Sequence, residues 1–262
     1  MGSQDQSGQA LERLPELVSG CILVLPTYNE AANLPVLLDR LWKVLPGMHV
    51  LIVDDNSPDG TGELADDLVR RWPERVRILH RPQKDGLGRA YVAGFRLALE
   101  QGYQRIAQMD ADLSHDPAAL PALLEALRGA DLVLGSRYAA GGGIEGWRWH
   151  RRILSRTANR FARWALGAPF ADLTGGFKVW RADALRSIGL ERVCSRGYLF
   201  LIETTMLCAR NGGRIREAPI VFRDRHNGRS KLGGAVIGEA VWGILTMGAR
   251  RFWAAGSFRP PR

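Results

Sequence analysis

The sequence predicts an α/β fold built on a mostly parallel sheet flanked by helices, and three observations carry that expectation. Short apolar runs alternate with longer segments of helical periodicity through the first half of the chain, as βαβ units require. The runs are apolar at successive positions rather than at every second one, which marks strands buried on both faces. Polar, chemically loaded stretches follow the runs, at the strand ends where open parallel sheets bind ligands.

Taken in order, the first run is Cys21–Leu25, followed by helical periodicity over Ala32–Val44. His49–Val53 is the second, ending in Asp54-Asp55 and leading into a helix over Thr61–Trp72. Val76–Leu79 is the third, with a helix over Arg89–Gln101 opened by Gly86 and Gly88. Arg105–Met109 is the fourth, before a Pro117-initiated helix reaching Arg128, and Asp131–Leu134 is the fifth. The second half is less regular. Gly141–Gly143 reads as a mobile loop, Trp147–Leu166 as a basic helix, and Ala184–Ile188 as a short helix. Tyr198–Arg210 reads as a helix, Arg214–Phe222 as a strand and Val236–Phe252 as an apolar helix. No linker or repeat divides residues 20–253, which read as one domain between flexible tails at 1–19 and 254–262.

Composition narrows the function classes. At 262 residues and 46% apolar the chain can bury a sizeable core. A net charge of +9 with pI ≈ 10.1 points to anionic partners. No recognition motif or aromatic sheet signature for nucleic acid is present, and acidic strand ends would repel a phosphate backbone. The N-terminus has acids and no apolar signal segment. Cys21, Cys194 and Cys208 share no metal-ligand spacing and read as reduced core residues of a cytosolic protein.

The strand ends hold the candidate site. Asp110-Ala111-Asp112 places two carboxylates on the same side of an extended segment, where both reach one hard cation, Mg²⁺ or Mn²⁺, that shares substrate phosphates. Ser114 or Asp116 ahead of Pro117 suits a helix cap, which leaves the two preceding acids unexplained. Asp55 suits ribose hydroxyls or a base edge, and Asp59 the turn that follows. Tyr28 can stack on a base or ribose and Glu30 can accept from it; alternatively Asn29 and Glu30 simply open a helix. Gly86-Leu87-Gly88, with Lys84 and Asp85 before it, lacks both phosphate-loop patterns. The stretch from Arg223 to Gly234 is a basic, Gly-punctuated segment suited to closing over phosphates.

Together PTYNE, VDDNSPDGT, GLGRAYVAG, MDADLSHDP, GSRY, DLTGGFKVW and RHNGRSKLGG, in this order and spacing, resemble the dolichyl- or polyprenyl-phosphate mannosyltransferases of glycosyltransferase family 2. The resemblance covers roughly residues 20–250 and implies a GT-A, Rossmann-like fold. It implies inverting transfer of mannose from GDP-mannose to a polyprenyl (dolichyl) monophosphate; UDP-glucose as donor to the same class of acceptor is the alternative. Carried to matching positions, it places Pro26, Tyr28, Glu30, Val53 and Asp55 on the nucleoside. Asp110, Ala111 and Asp112 then meet the diphosphate and metal, and Arg137, Arg225 and Lys231 the phosphates. Ser114 stands where some relatives have Gln as a third metal contact. The chain resembles the form without a membrane-spanning extension, peripheral on a cytoplasmic membrane face and open to a separate membrane-anchoring protein.

Two C-terminal stretches read as amphipathic interface helices. From Trp147 to Ala171 there are six arginines (148, 151, 152, 156, 160, 163) and no acid, with Ile153, Leu154, Phe161 and Trp164 interleaved. Val236–Phe252 holds one acid, Glu239, and is too short and interrupted to span a bilayer. Arginine with tryptophan in such patterns suits a membrane interface; the alternative is that both helices pack on the domain with their charges in water.

Overall fold

The apolar run at Cys21–Leu25 becomes the centre of the molecule. In the structure, a computed structural model that describes residues 14–224 and 241–248, helix α1 (Leu14–Val18) comes first, with Leu17 in the core. The expected tail to residue 19 is therefore too long: five of its residues fold because Leu17 finds an apolar seat. Strand β1 (Cys21–Thr27) follows, fully buried over its first five residues. After helix α2 (Leu34–Val44) comes β2 (His49–Asp54), parallel to β1 with Leu51 level with Val24. Helix α3 (Thr61–Arg71) leads to β3 (Val76–His80), parallel to β2 at the sheet edge. Helix α4 (Leu87–Glu100) then crosses the opposite face and returns as β4 (Arg105–Gln108), parallel to β1 on its free side. The chain thus leaves β1 in two directions, and the crevice where the strand order reverses is the place such sheets bind ligands.

Close packing of α4 depends on a glycine. A Cβ on Gly94 would lie 2.6 Å from Val24 Cγ1 and 2.9 Å from Val53 Cγ2, so any side chain there would lift the helix off the sheet.

The second half extends the sheet by a less regular route. Helix α5 (Leu120–Ala126), preceded by a short turn capped by Asp116, leads to β5 (Leu132–Ser136). Then follow β6 (Gly143–Glu145), α6 (Trp149–Leu166), β7 (Lys178–Arg181), α7 (Ala182–Ile188), α8 (Leu199–Arg210), β8 (Ile215–Pro219) and β9 (Val221–Arg223). The main sheet runs β3-β2-β1-β4-β7-β5-β8, with β6 and β9 forming a separate parallel pair. β7 is antiparallel to both neighbours; its four residues mix Lys and Arg with Val and Trp, so no apolar run announces it. The expected single strand over 214–222 is two strands in two sheets: β8 ends at Pro219 beside Ser136, and Val221–Arg223 pairs instead with β6. The loop expected at Gly141–Gly143 ends by entering β6.

Helices α1, α2, α3 and α5 cover one face and α4, α7 and α8 the other. A third cluster joins Ala162 and Leu166 of α6, Leu173, Ile202 and Met206 of α8, and Ile244 in the helical segment 241–248. Cys21 and Cys208 are buried as expected, and burial pushes both thiols up to about 12. Cys194 departs from that expectation: it is exposed in the loop before α8.

Candidate active site

Each loaded strand end is first tied down by its own polar side chains. Thr27 at the end of β1 donates through Oγ1 to Asp54 Oδ1 at 2.9 Å. Asp54 also accepts from Ser57 N and Ser57 Oγ at 3.0 and 2.6 Å, so this carboxylate stitches β1 to β2 and leaves Asp55 to face the cleft. Asp59 accepts from Thr61 N and Ala31 N at 3.1 and 3.2 Å, the turn role its position implied. Asn29, Asn56 and Leu113 have left-handed φ of 61°, 57° and 63°. Asn tolerates that conformation, whereas at Leu113 it stores strain one residue beyond Asp112.

The carboxyl ends of β1, β2 and β4 and the start of α4 enclose a cleft of about 320 Å³. Pro26, Tyr28, Glu30, Asp55, Asp110, Ala111 and Asp112 all line it. The strand ends read separately along the sequence therefore converge. Val53 does not line it: its side chain is fully buried beneath α4. Arg225 and Lys231 lie outside the described residues.

Asp55 pairs with Arg81 Nη1 at 2.5 Å. Burial raises its carboxyl above the ordinary value, against the opposing pull of Arg81. Lys84 Nζ sits 3.7 Å from the centroid of the Tyr28 ring, a cation–π contact. Glu30 Oε2 accepts from Asn33 Nδ2 at 2.8 Å. The two readings of this acid coexist, since it both lines the cleft and helps open α2.

Asp110 Oδ1 accepts from the Tyr91 hydroxyl at 3.1 Å. Tyr91 is itself buried and stacked on Phe200, with ring centroids 5.6 Å apart. Burial, and then the nearby Asp110 charge, hold the Tyr91 phenol well above its ordinary value, so it stays a donor. A Cβ on Gly176 would lie 3.1 Å from Asp110 Oδ2, so that glycine lets the 172–177 loop approach the carboxylate. Asp112 Oδ1 accepts from Ser114 N at 3.1 Å. Ser114 Oγ is buried with no hydrogen-bond partner among the described residues. Two carboxylates and an unsatisfied hydroxyl on one turn suit a hard divalent cation that completes its shell with water and phosphate. No group of three or more His, Cys, Asp or Glu side chains able to hold a metal occurs among the described residues.

The loop bearing these acids is clamped from behind by β9. Arg223 N donates to Ser114 O at 3.0 Å, and its guanidinium pairs with Asp116 at 2.6 Å and Glu145 at 3.0 Å. His115 is buried between Phe177 and Phe222, at 5.2 and 5.1 Å.

Arg137 has a different setting from the one its motif suggested. It is buried, and its Nε and Nη2 both meet Asp172, each at 2.7 Å. Nη2 also donates to Thr174 Oγ1 at 2.7 Å. Arg137 lines not the first cleft but a second, of about 480 Å³, together with Arg156, Arg160 and Arg163. Tyr91 and Arg81 were not singled out from the sequence; only Arg81, directly after β3, carried a signal that would have found it.

A family model of glycosyl transferase family 2 matches residues 22–189. The chain belongs to glycosyl transferase family 2. Among curated relatives, polyprenol monophosphomannose synthase of Mycolicibacterium smegmatis is 45% identical over 230 residues, covering 87% of each chain. Undecaprenyl-phosphate mannosyltransferase of Micrococcus luteus is 47% identical over 232 residues, 88% of this chain and 95% of that one. Among solved structures, glucosyl-3-phosphoglycerate synthase of Mycobacterium tuberculosis with Mn²⁺, UDP and its product superposes with TM-score 0.66 at 19% identity. That match covers 90% of this chain and 84% of the other. A mannosyltransferase of Pyrobaculum calidifontis bound to GDP-mannose and Mn²⁺ gives 0.56 at 15% identity, covering 96% and 84%. These two similarities establish the GT-A-type fold of the family 2 chain.

Proposed function

We propose that this family 2 glycosyltransferase moves mannose from GDP-mannose to a polyprenyl monophosphate, inverting the anomeric carbon and releasing GDP. The observation that carries the proposal is the convergence of Tyr28, Asp55, Asp110 and Asp112 in one cleft, in a chain nearly half identical to two polyprenyl-phosphate mannosyltransferases.

Tyr28, Glu30 and Asp55 hold the nucleoside, with Arg81 keeping Asp55 oriented. Asp110 and Asp112 would hold Mg²⁺ or Mn²⁺, and a cation bound there would supply neutralisation of the charge developing on the departing GDP. Tyr91 fixes Asp110 by a hydrogen bond, while Arg223 and Ser114 N fix the turn that carries Asp112. The acceptor phosphate, with a second pKa near about 6, is already an anionic nucleophile at neutral pH, so no side chain need remove a proton. Arg137, held rigid by Asp172, presents its guanidinium where the second cleft meets the strand ends, and Arg225 and Lys231 add cationic contacts to the phosphates. Attack from the face opposite GDP converts an α-linked donor into a β-linked sugar phosphate. The enzyme acts as a peripheral protein at a cytoplasmic membrane face, where its acceptor resides.

The test is direct. Purified protein is incubated with radiolabelled GDP-mannose, Mg²⁺ or Mn²⁺ and a polyprenyl phosphate, and the lipid is extracted. Mild-acid-labile mannose in the lipid phase, with no label from UDP-glucose, is the expected result. Label from UDP-glucose instead would overturn the choice of donor, and none from either would overturn the reaction.

A further inference from the structure

Gly86-Leu87-Gly88 fits neither phosphate-loop pattern, and its role is visible in what packs on it. A Cβ on Gly86 would lie 2.5 Å from Arg196 O, and one on Gly88 would lie 2.5 Å from Ser195 O and 2.8 Å from Phe200 Cβ. Both glycines are therefore a bare seat for the 194–198 loop, which lies on the first turn of α4 with no space for a side chain between. Polar contacts hold the loop there. Gly88 N donates to Arg196 O at 2.8 Å, and Arg196 Nη1 pairs with Asp85 at 3.2 Å. From the other side, the Glu203 carboxylate on α8 accepts from Cys194 N at 3.1 Å and from Ser195 N at 2.9 Å. The course of the loop is thus set through its own backbone.

The loop delivers Gly197 and Tyr198 to the wall of the first cleft. Tyr198 stands immediately before α8, two residues from Phe200, whose ring stacks on Tyr91 with an interplanar angle of 3°. Tyr91 in turn donates to Asp110 Oδ1, so two packed rings tie the start of α8 to the acid pair. The electrostatics agree with that closeness: burial first, then the Asp110 and Asp112 charges, and then Tyr198 hold the Tyr91 phenol above its ordinary value.

A nucleotide sugar laid in this cleft leaves one stretch of wall for its sugar. Tyr28, Asp55 and Lys84 follow β1, β2 and β3, at the nucleoside end, and Asp110 and Asp112 stand at the diphosphate. The described lining beyond these includes Gly86, Leu87, Ala90, Gly197 and Tyr198, and only Tyr198 among the five carries a polar side-chain atom. Its ring suits the C–H face of a pyranose, and its hydroxyl both donates and accepts. A site that hydrogen-bonds a substrate hydroxyl rejects an analogue that misplaces it, because the polar group of the site is then left unpaired. We propose that Tyr198 reads the hydroxyls of the transferred hexose, held at a fixed distance from the diphosphate site by the loop that Gly86 and Gly88 seat. The inference rests on the reading of the first cleft as a nucleotide-sugar site, and adds to it the residue that discriminates one sugar from another.

The experiment compares GDP, GDP-mannose and its C2 epimer GDP-glucose on wild type, Tyr198→Phe and Gly88→Ala. Calorimetry with Mg²⁺ or Mn²⁺ reads GDP affinity, which should be unchanged in Tyr198→Phe and shows that the variant folds. kcat/KM for GDP-mannose should fall on the order of tenfold in Tyr198→Phe, the loss of about one hydrogen bond, and its ratio to that for GDP-glucose should narrow. Gly88→Ala drives a Cβ into the loop and should narrow the same ratio with GDP affinity retained. Wild-type discrimination between the two sugars in either variant would overturn the proposal. An equal loss of GDP and GDP-mannose affinity in Tyr198→Phe would overturn it too, by giving this wall to the nucleotide. If wild type transfers from UDP-glucose instead, the proposed reaction falls, and Tyr198 is judged by the same criteria on UDP, UDP-glucose and its C4 epimer UDP-galactose. If wild type binds no nucleotide sugar, both fall.

Discussion

Replacing Asp172 by Asn keeps the shape of the side chain and removes the carboxylate opposite the buried Arg137. Asp172 is fully buried and accepts from Arg137 N, Nε and Nη2 at 3.1, 2.7 and 2.7 Å. Asn can satisfy one side of that fork; the other becomes an amide donor pointing at guanidinium donors. Removing one partner of a buried pair costs about 3–5 kcal/mol, chiefly by leaving the other charge uncompensated. At roughly 2–4 °C per kcal/mol for a domain of this size, the thermal midpoint should fall by on the order of 10 °C. Arg137→Met combined with Asp172→Leu removes both charges and should be less destabilised than Asp172→Asn alone. Calorimetry or urea unfolding of the three proteins reads both expectations.

Acid adds an independent check on the same pair. Burial opposes the Asp172 charge, but Arg137 outweighs it and holds the carboxyl below its ordinary value. A group depressed in this way contributes its full stability above the unfolded value of about 3.9, and loses it as pH falls through the folded value. The stability gap between wild type and Asp172→Asn should therefore be flat near neutrality and close only below about pH 4. A neutral-pH midpoint for Asp172→Asn within about 2 °C of wild type would refute the pairing.

Three further outcomes are expected. Asp112→Asn should lower mannosyl transfer at saturating metal at least about a hundredfold, while thermal stability is retained; near-normal turnover in a lipid-extraction assay would remove Asp112 from the metal site. Gly176→Ala places a Cβ 3.1 Å from Asp110 Oδ2, so metal titration of activity should show weaker apparent affinity with the midpoint nearly unmoved; unchanged metal dependence would contradict the close approach. Lys178 is buried, with Nζ donating to Leu201 O and Thr205 Oγ1 at 2.5 and 2.8 Å, and burial lowers its pKa to about 7. The unfolded chain, with a lysine near about 10.4, binds the proton more readily above pH 7, so Lys178 makes stability rise with pH from there. Urea unfolding of Lys178→Met should lack that rise relative to wild type between about pH 7 and 8.5, below the range where unfolded cysteines titrate; parallel curves would show that the lysine stays charged when buried.

The parallel half of the fold was legible because its signal is local. Strands β1 and β2 are apolar runs, β3 and β4 carry shorter apolar stretches, and each helix between them carries its own periodicity, so order and position follow without knowing any partner. The cleft was legible for the same reason: Pro26 sits at the end of β1, Tyr28, Glu30, Asp55, Asp110 and Asp112 follow strands, and parallel strands bring such ends together. What stayed hidden depends on pairing at a distance. β7 is recognisable only by its antiparallel seats between β4 and β5. Tyr91 lies mid-helix, where an aromatic reads as core, and its hydroxyl matters only because Phe200 stacks behind it and Asp110 stands in front.

Arg137 shows what that distinction means for the chemistry. Its motif placed it among the cations that meet phosphate, and in isolation a buried arginine at a strand end would have to find an anion or be excluded from the core. Asp172, 35 positions later, supplies that anion permanently. Arg137 can therefore remain in place before any substrate arrives, and a phosphate reaching it meets a guanidinium already oriented, with no ordering left to be done on binding. The two clefts consequently divide the charges: the carboxylates of Asp55, Asp110 and Asp112 line the first, and Arg137, Arg156, Arg160 and Arg163 line the second. A nucleotide whose diphosphate is shielded by a divalent cation suits the acidic cleft. A lipid-borne phosphate with no cation of its own suits the basic one. Under the proposed reaction, two polyanions would approach each other because each enters through a wall of the opposite effective charge.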